Sequence, residues 1–139
     1  MRPYGLQEAA PAGGFVWQTE HRLIHALDRL SSGVILVDPS DKVLHLNSTC
    51  RGFLPTLRDE LKMGAMVPEL FREAVRGGDF RVDLALIDRW LEDRAALEPP
   101  SMNLRLRDDR WLKLESRPTF DQGAVLTLSD VTEFKKREV

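Results

Sequence analysis

The chain has 139 residues, 42% hydrophobic and 30% charged, which suits one modest domain with a single core. Its formal charge of −2 gives no broad basic field, so neither nucleic acid nor an anionic membrane is expected as a partner. A single cysteine excludes an intrachain disulfide, and no apolar run approaches the ~20 residues needed to span a bilayer. We therefore expect a cytoplasmic protein.

The N-terminal part of the chain divides into an arm and a helix. Residues 1–14 mix Pro, Gly and Ala and are predicted to form a flexible arm. Residues 15–32 are predicted to form an amphipathic helix, because their apolar side chains recur at heptad spacing. Such a face needs a partner, which is either the protein's own sheet or the same helix of a second copy. The apolar side chains of this face are Val16, Trp17, Leu23, Ile24, Leu27 and Leu30.

A hairpin and two short helices are expected next. The apolar run 34–38 and the segment 42–47 flank a Pro-Ser-Asp turn, and together they predict a β-hairpin. Short helices are expected near 48–54 and 58–76, interrupted by prolines such as Pro68.

A longer helix is predicted over residues 82–97. Its apolar side chains recur at helical spacing and form one stripe, and two prolines end it. The stripe consists of Phe80, Leu84, Ile87 and Leu91.

Three strands are predicted after those prolines. The strand 103–107 turns at an Asp-Asp pair into the strand 110–116, in which Leu112 and Leu114 share one face. A Gly-containing turn then leads into a strand at 124–129, which also alternates.

The periodicity changes where the last strand ends. Asp130-Val131-Thr132-Glu133 has the form of a capping box, in which the Asp130 carboxylate accepts from early helix amides and Glu133 reaches back to the cap residue. The helix that follows, 134–138, is too short to be stable alone. We expect it to continue beyond the last residue of this chain.

The order of strand, Gly-containing turn, strand, Asp-Val-Thr-Glu and basic helix resembles the C-terminal half of a PAS domain, a sensory domain of bacterial signal-transduction proteins. Residues 27–47 (LDRLSSGVILVDPSDKVLHLN) resemble the opening PAS hairpin, and the likeness covers roughly residues 18–138. Residues 50–78 match loosely. The segment RWLEDR at 89–94 is similar to the PAS variant found at the front of sensor histidine kinases and diguanylate cyclases.

The resemblance implies an α+β fold. A PAS-like five-stranded antiparallel sheet carries helices between strands 2 and 3, and an N-terminal helix and a C-terminal signalling helix flank it. The domain boundaries expected on this basis are a flexible arm at 1–14, an N-terminal amphipathic helix at 15–32, a PAS core at 33–131 and the start of the output helix at 132–139.

The resemblance also implies a function. The chain would be a sensory and dimerisation module that relays a signal through Asp130, Val131, Thr132 and Glu133 to a histidine kinase or diguanylate cyclase domain beyond the chain. In the family, the Asp pairs with a basic residue near the domain edge and the Thr hydroxyl supports the turn. The resemblance favours a homodimer formed by the N-terminal helix, through the apolar face described above. The alternative is a constitutive dimerisation scaffold that binds no small molecule.

The predicted inward faces of the sheet and the long helix would line the ligand pocket. Because these faces are apolar, the space between them could hold a small apolar ligand. Alternatively, side chains fill this space completely. The pocket candidates are Ile35, Val37, Leu44, Leu46, Ile87, Leu91, Leu104, Leu114 and Leu126.

No cofactor or metal is predicted. Cys50 directly follows the second strand, whereas flavin-binding light-oxygen-voltage domains carry their reactive cysteine on a later helix. Haem-binding PAS domains use a histidine on the long helix, and residues 82–97 contain none. His21 and His25 are four residues apart but are better explained as a solvated helix face than as a metal site.

No catalytic constellation is recognisable. The carboxylate pairs lack an adjacent Ser, His or Cys that acyl or phosphoryl transfer would need, and kinase or cyclase signatures are missing from the sequence. We therefore expect a regulatory domain and not an enzyme.

Overall fold

The computed structural model of the protein describes residues 12–94 and 99–137, with side chains from residue 18 onward. Residues up to Leu30 and residues from Ser31 onward form two separate compact units. The first contains helix α1 (Ala12–Asp28), which starts three residues before the predicted helix and ends four residues before its predicted end at residue 32. Residues 12–14, predicted as part of the arm, are therefore helical. Residues 1–11 of the arm lie outside the described part of the chain.

The second unit is an antiparallel sheet with inserted helices. Its six strands lie in the order β2-β1-β6-β5-β4-β3, so that β6 is hydrogen-bonded to β1 on one side and β5 on the other. In chain order, the elements are β1 (Gly33–Val37), β2 (Val43–Leu46), α2 (Cys50–Phe53), α3 (Val67–Arg76), β3 (Phe80–Arg81), α4 (Leu84–Asp93), β4 (Met102–Leu106), β5 (Trp111–Pro118), β6 (Ala124–Asp130) and α5 (Thr132–Arg137).

The sheet has six strands where five were predicted. The additional strand, β3, is only two residues long, and Phe80 pairs in it with Leu106 of β4. The sequence pattern placed Phe80 on the stripe of the long helix, because its spacing to Leu84 is helical. Helix α4 instead begins at Leu84. Phe80 lies in β3 at the edge of the sheet, and its side chain is buried.

The helix predicted at 58–76 is shorter than expected. Only Val67–Arg76 is helical, and Pro68 lies in the first turn instead of breaking the helix. This position suits proline, because the first helical amides have no partner within the helix. Gly78 then adopts φ +87°, a conformation that favours glycine, and turns the chain into β3.

Strand β2 contains an irregularity that changes which side chains point inward. His45 pairs with Leu36 and Val43 pairs with Val37, so Leu44 is the extra residue of a β-bulge. Val43 is consequently buried, while Leu44 is 52% exposed. The prediction that Leu44 faces a pocket is wrong, because a bulge breaks the alternation on which it depended.

The core fills the space between the inner sheet face and the helices. Leu112 and Leu114 of β5 and Leu126 and Leu128 of β6 are at most 1% exposed. Each such side chain contributes roughly 1.5–3 kcal/mol on burial. Across from them, Phe71 stacks on Trp90 and meets Phe80 edge to face; the three rings belong to α3, α4 and β3.

Candidate functional site

The junction between β6 and α5 is built from hydrogen bonds to Asp130 and Thr132. Asp130 Oδ1 accepts from the Thr132 amide at 2.9 Å and from the Thr132 hydroxyl at 2.5 Å. The same hydroxyl oxygen accepts from the Trp111 amide at 3.0 Å, and the Val131 amide donates to the Trp111 carbonyl at 2.9 Å. The start of α5 is therefore bonded to the start of β5.

Arg110 connects this junction to helix α2. Its Nη1 lies 3.9 Å from Asp130 Oδ2, and its Nη2 donates to the Gly52 carbonyl at 3.1 Å. The guanidinium carbon also lies 5.2 Å from the centre of the Phe53 ring. Asp108 accepts from Arg110 Nε at 2.8 Å and orients the group. A single cation thus contacts α2, the β4–β5 turn and the β6–α5 junction.

The charge environment keeps Asp130 ionised. Partial burial raises the pKa of this carboxyl, but hydrogen bonds from the Thr132 hydroxyl and amide, together with the Arg110 charge, outweigh it and lower the pKa below its ordinary value of 3.8. The ionised form accepts the junction hydrogen bonds, so the junction is fully formed at neutral pH.

Glu133 and the rest of α5 lie on the surface. Glu133 Oε2 is 3.9 Å from Lys136 Nζ, one turn further along the helix. Lys135 Nζ lies 4.9 Å from the centre of the Trp111 ring, and Arg105 lies 5.0 Å from it. The helix thus has a second contact with the start of β5.

The predicted dimer face belongs to α1, except for Leu30, which lies two residues beyond the end of this helix. In this structure Leu23 is 59% exposed, Ile24 42% and Leu30 47%, while Leu27 is partly buried. The side chains of Val16 and Trp17 lie outside the described residues. The homodimer remains a prediction.

Most of the predicted pocket residues are packed in the hydrophobic core. Ile35, Val37, Ile87, Leu104, Leu114 and Leu126 are buried in one cluster, and Leu46 packs against it. Of the nine candidates, Leu91 is the one that lines a cavity of about 470 Å³ at the end of the sheet. This cavity was not predicted, because its walls come from segments far apart in the sequence.

Cys50 is a structural thiol. It is fully buried, and its Sγ lies 3.4 Å from Asn47 Oδ1 and 3.6 Å from the Val34 carbonyl. Burial raises the pKa of the thiol to about 11, which disfavours the reactive thiolate. Asn47 also accepts from the Val34 amide at 2.8 Å, so this buried pair ties the start of α2 to β1.

The two helix histidines contact each other. His21 Nε2 and His25 Nε2 lie 3.2 Å apart on the exposed surface of α1. Within the described residues, no three His, Cys, Asp or Glu side chains are grouped closely enough to hold a metal ion.

Comparisons with known proteins identify the family. A family-wide comparison matches residues 27–139 to the PAS fold. The chain belongs to the PAS-fold family. As in other members of this family, an antiparallel sheet packs against helices inserted between its strands. No curated protein matches the chain.

Solved structures support the same PAS fold. The sensor region of a sensor histidine kinase shares 20% identity with a TM-score of 0.56, over 74% of this chain and 40% of that one. The PAS domain of BvgS from Bordetella pertussis shares 18% identity with a TM-score of 0.55, over 87% and 94%. A sensory box sensor histidine kinase from Vibrio cholerae shares 16% identity with a TM-score of 0.52, over 86% and 97%.

At the level of fold, the chain is therefore similar to sensory regions of sensor kinases. The chain spans 40% of the length of the first of them. In the described part of the PAS chain, every helix is too short or too polar to cross a membrane.

Proposed function

We propose that this PAS domain relays a conformational signal through Asp130, Val131 and Thr132 to an output domain joined to α5. The supporting observation is the position of Arg110, which contacts both the Gly52 carbonyl of α2 and the Asp130 carboxylate. A displacement of α2 would move Arg110 and thereby change the restraint on the first turn of α5. The relay needs no chemical step.

Strand β6 offers a second route to the same junction. It is paired along its length with β1 and β5, so it shifts only if those ladders shift with it. Its last residue, Asp130, pairs with Leu112, beside the Trp111 groups that bond to Val131 and Thr132. A small change in the twist of β5 would therefore alter the direction or register in which α5 leaves the sheet.

The output is proposed to be a histidine kinase or diguanylate cyclase domain in the cytoplasm of a bacterial cell. The fold similarity to sensor kinase regions supports a kinase. A homodimer through α1 would bring two output domains together, and the exposed Leu23, Ile24 and Leu30 support that pairing. The module itself is proposed to be regulatory, without catalytic activity, metal, haem or flavin, and without contact to nucleic acid or membrane.

The Asp130→Ala variant tests the relay in the intact protein that carries this domain. We expect its output activity to stay at one level across conditions in which the wild-type activity varies, because the Thr132 and Arg110 contacts are lost. Unfolding in urea should show a change within about 1 kcal/mol, as for other exposed polar contacts.

Asp88→Ala is the matched control. The Asp88 carboxylate is as exposed as that of Asp130, 41% against 40%, and also pairs with an arginine, Arg72, at 2.8 Å. It lies on α4, away from the junction. Normal regulation in Asp130→Ala, or an equal loss in Asp88→Ala, would refute the relay.

Arg110→Met separates the two routes. The variant keeps an apolar side chain over Phe53 but removes the hydrogen-bond donor to Gly52 and the positive charge beside Asp130. If Arg110 carries the relay, Arg110→Met should lose regulation as Asp130→Ala does, and the double variant should be no worse than either single one. If Arg110→Met is still regulated, the signal reaches the junction through β6 alone.

The second candidate is a constitutive dimerisation scaffold. The packing of the predicted pocket residues into one buried cluster favours it. Native mass spectrometry distinguishes the two functions: a dimer carrying extra mass supports sensing, and a dimer of the bare chain mass supports the scaffold. A monomer would contradict pairing through α1 for this chain.

A further inference from the structure

The cavity of about 470 Å³ lies at the end of the sheet where the β1–β2 turn, the β5–β6 turn and the end of α4 come together. Its volume is within the ordinary range for small-molecule sites, roughly 300–1,000 Å³. Nearly half of its wall is apolar, and this part includes Leu91, Ala124 and two prolines, Pro39 and Pro118. The remaining wall is polar, unlike the packed centre of the sheet.

Ser116 marks the point where the inner face of β5 changes from core to cavity. Leu112, Leu114 and Ser116 point the same way along the strand, so an apolar residue is expected at the third position. Ser116 is only 2% exposed, and it lines the cavity. Its hydroxyl can therefore donate a hydrogen bond to a molecule bound there, or accept one from it.

Arg94 supplies a positive charge to the same cavity. Its side chain is 9% exposed, its Nη2 lies 2.7 Å from Asp41 Oδ1, and its Nε donates to the Leu91 carbonyl at 3.1 Å. A largely buried guanidinium that lines a cavity is suited to a carboxylate, which it binds by charge-assisted hydrogen bonds.

Two carboxylates line the wall near this cation. Asp41 is held in a left-handed backbone conformation, φ +70°, and pairs with Arg94. Asp38 Oδ1 accepts from the Ser40 and Lys42 amides at 2.8 and 3.0 Å, and its Oδ2 has no partner among the described residues. With one arginine and two aspartates, the lining has a formal charge of −1.

This charge pattern discriminates between classes of ligand. A simple carboxylic acid would meet two carboxylates, and a simple amine would meet a buried arginine. A molecule that carries both an ammonium and a carboxylate can pair with both signs of charge.

We propose that the cavity binds a free α-amino acid, with its carboxylate on Arg94, its ammonium on the Asp38–Asp41 side and a polar contact to Ser116. The bound molecule would rest against the β5–β6 turn, and the seven-residue strand β6 connects that turn directly to Asp130. This ligand assignment deepens the proposed sensory function and rests on it only for its biological meaning, because binding itself is measurable on the chain alone.

Calorimetric titration of the intact chain with each proteinogenic L-amino acid, one at a time, tests the assignment. For the tightest one, its decarboxylated amine and its deaminated acid are titrated as well. We expect an amino acid to bind, and both analogues to bind at least about tenfold more weakly, since each lacks one ion pair. Equal binding of either analogue, or no binding by any amino acid, overturns the proposal.

Two variants locate the site. Ser116→Val removes the hydroxyl and adds apolar bulk at the cavity wall with a side chain that suits the core face of a strand, so it should fold and lose at least about tenfold in affinity. Arg94→Gln should lose binding as well. Thr127→Val on β6, outside the cavity lining, is the matched control and should bind normally. Full binding by Ser116→Val overturns the assignment.

Binding of the amino acid and relay of the signal can be tested independently of each other. Asp130→Ala should bind the amino acid as the wild type does, so loss of regulation with retained binding concerns the relay alone. A chain that binds no amino acid but still regulates its output overturns the ligand and leaves the relay intact.

Discussion

The centre of the inner sheet face and its end near the β5–β6 turn are made by the same strands but differ in character. At the centre, Leu114 and Leu126 are 1% exposed or less and pack against the helices. At the end, Ser116 and Arg94 border a cavity. Two residues along β5 thus separate a packed apolar region from a cavity lined in part by polar and charged groups. Apolar packing stabilises the fold, whereas the polar groups are the basis of the ligand that we propose.

The largest effect is expected from the centre. Leu114→Ala removes a fully buried side chain and leaves a void between β5 and the helices, so the free energy of unfolding should fall by about 3 kcal/mol, within the usual range of 2–5. Urea unfolding followed by circular dichroism measures this change.

Ser116→Ala is the comparison for that variant. It removes only a hydroxyl that borders a cavity, so its cost should be below about 1 kcal/mol. If both variants cost the same, the two regions do not differ as described.

An intermediate effect is expected at the polar end from Asp41→Asn. Asparagine tolerates the left-handed conformation, so the change removes the charge opposite Arg94 without adding backbone strain. Unfolding should become easier by about 1–2 kcal/mol, less than for a fully buried pair because the Asp41 carboxylate is 40% exposed. Glu73→Gln, which breaks the exposed Glu73–Arg76 pair, should change stability by less than about 0.5 kcal/mol. An equal cost in both variants would show that Arg94 is not effectively buried.

The last effect concerns Cys50 and appears only at alkaline pH, so it leaves stability at neutral pH unchanged. Burial raises the pKa of its thiol from 9.0 to about 11, so the unfolded chain releases this proton before the folded chain does. The free energy of unfolding should therefore fall as pH rises from 9 to 11, by at most about 1.4 kcal/mol per pH unit. Cys50→Ala should lack this component of the slope. Rapid labelling of native Cys50 by a thiol reagent at pH 8 would contradict the closed packing around it.

Much of the fold could be predicted from local patterns. The alternation in β5 and β6 correctly indicated which leucines point inward, because both strands pair regularly on the core side. The Asp-Val-Thr junction was also recognisable, since its hydrogen bonds join residues close in sequence.

The remaining features depend on contacts that a linear pattern does not contain. The bulge at Leu44 arises from pairing with β1, and Arg110 became identifiable as the partner of Asp130 only once the sheet placed β5 beside β6. The cavity brings together Asp38, Arg94 and Ser116 from three distant segments. The one local signal of the cavity was Ser116, a polar residue on an otherwise apolar face of β5.

The contact from Arg110 to α2 is made to the Gly52 carbonyl, a group that every amino acid carries. Substitutions along α2 can therefore accumulate without removing the acceptor, provided that the backbone keeps its path. The side chains of α2 can therefore change while the hydrogen bond between α2 and Arg110 is kept, which makes this contact tolerant of mutation and of engineering.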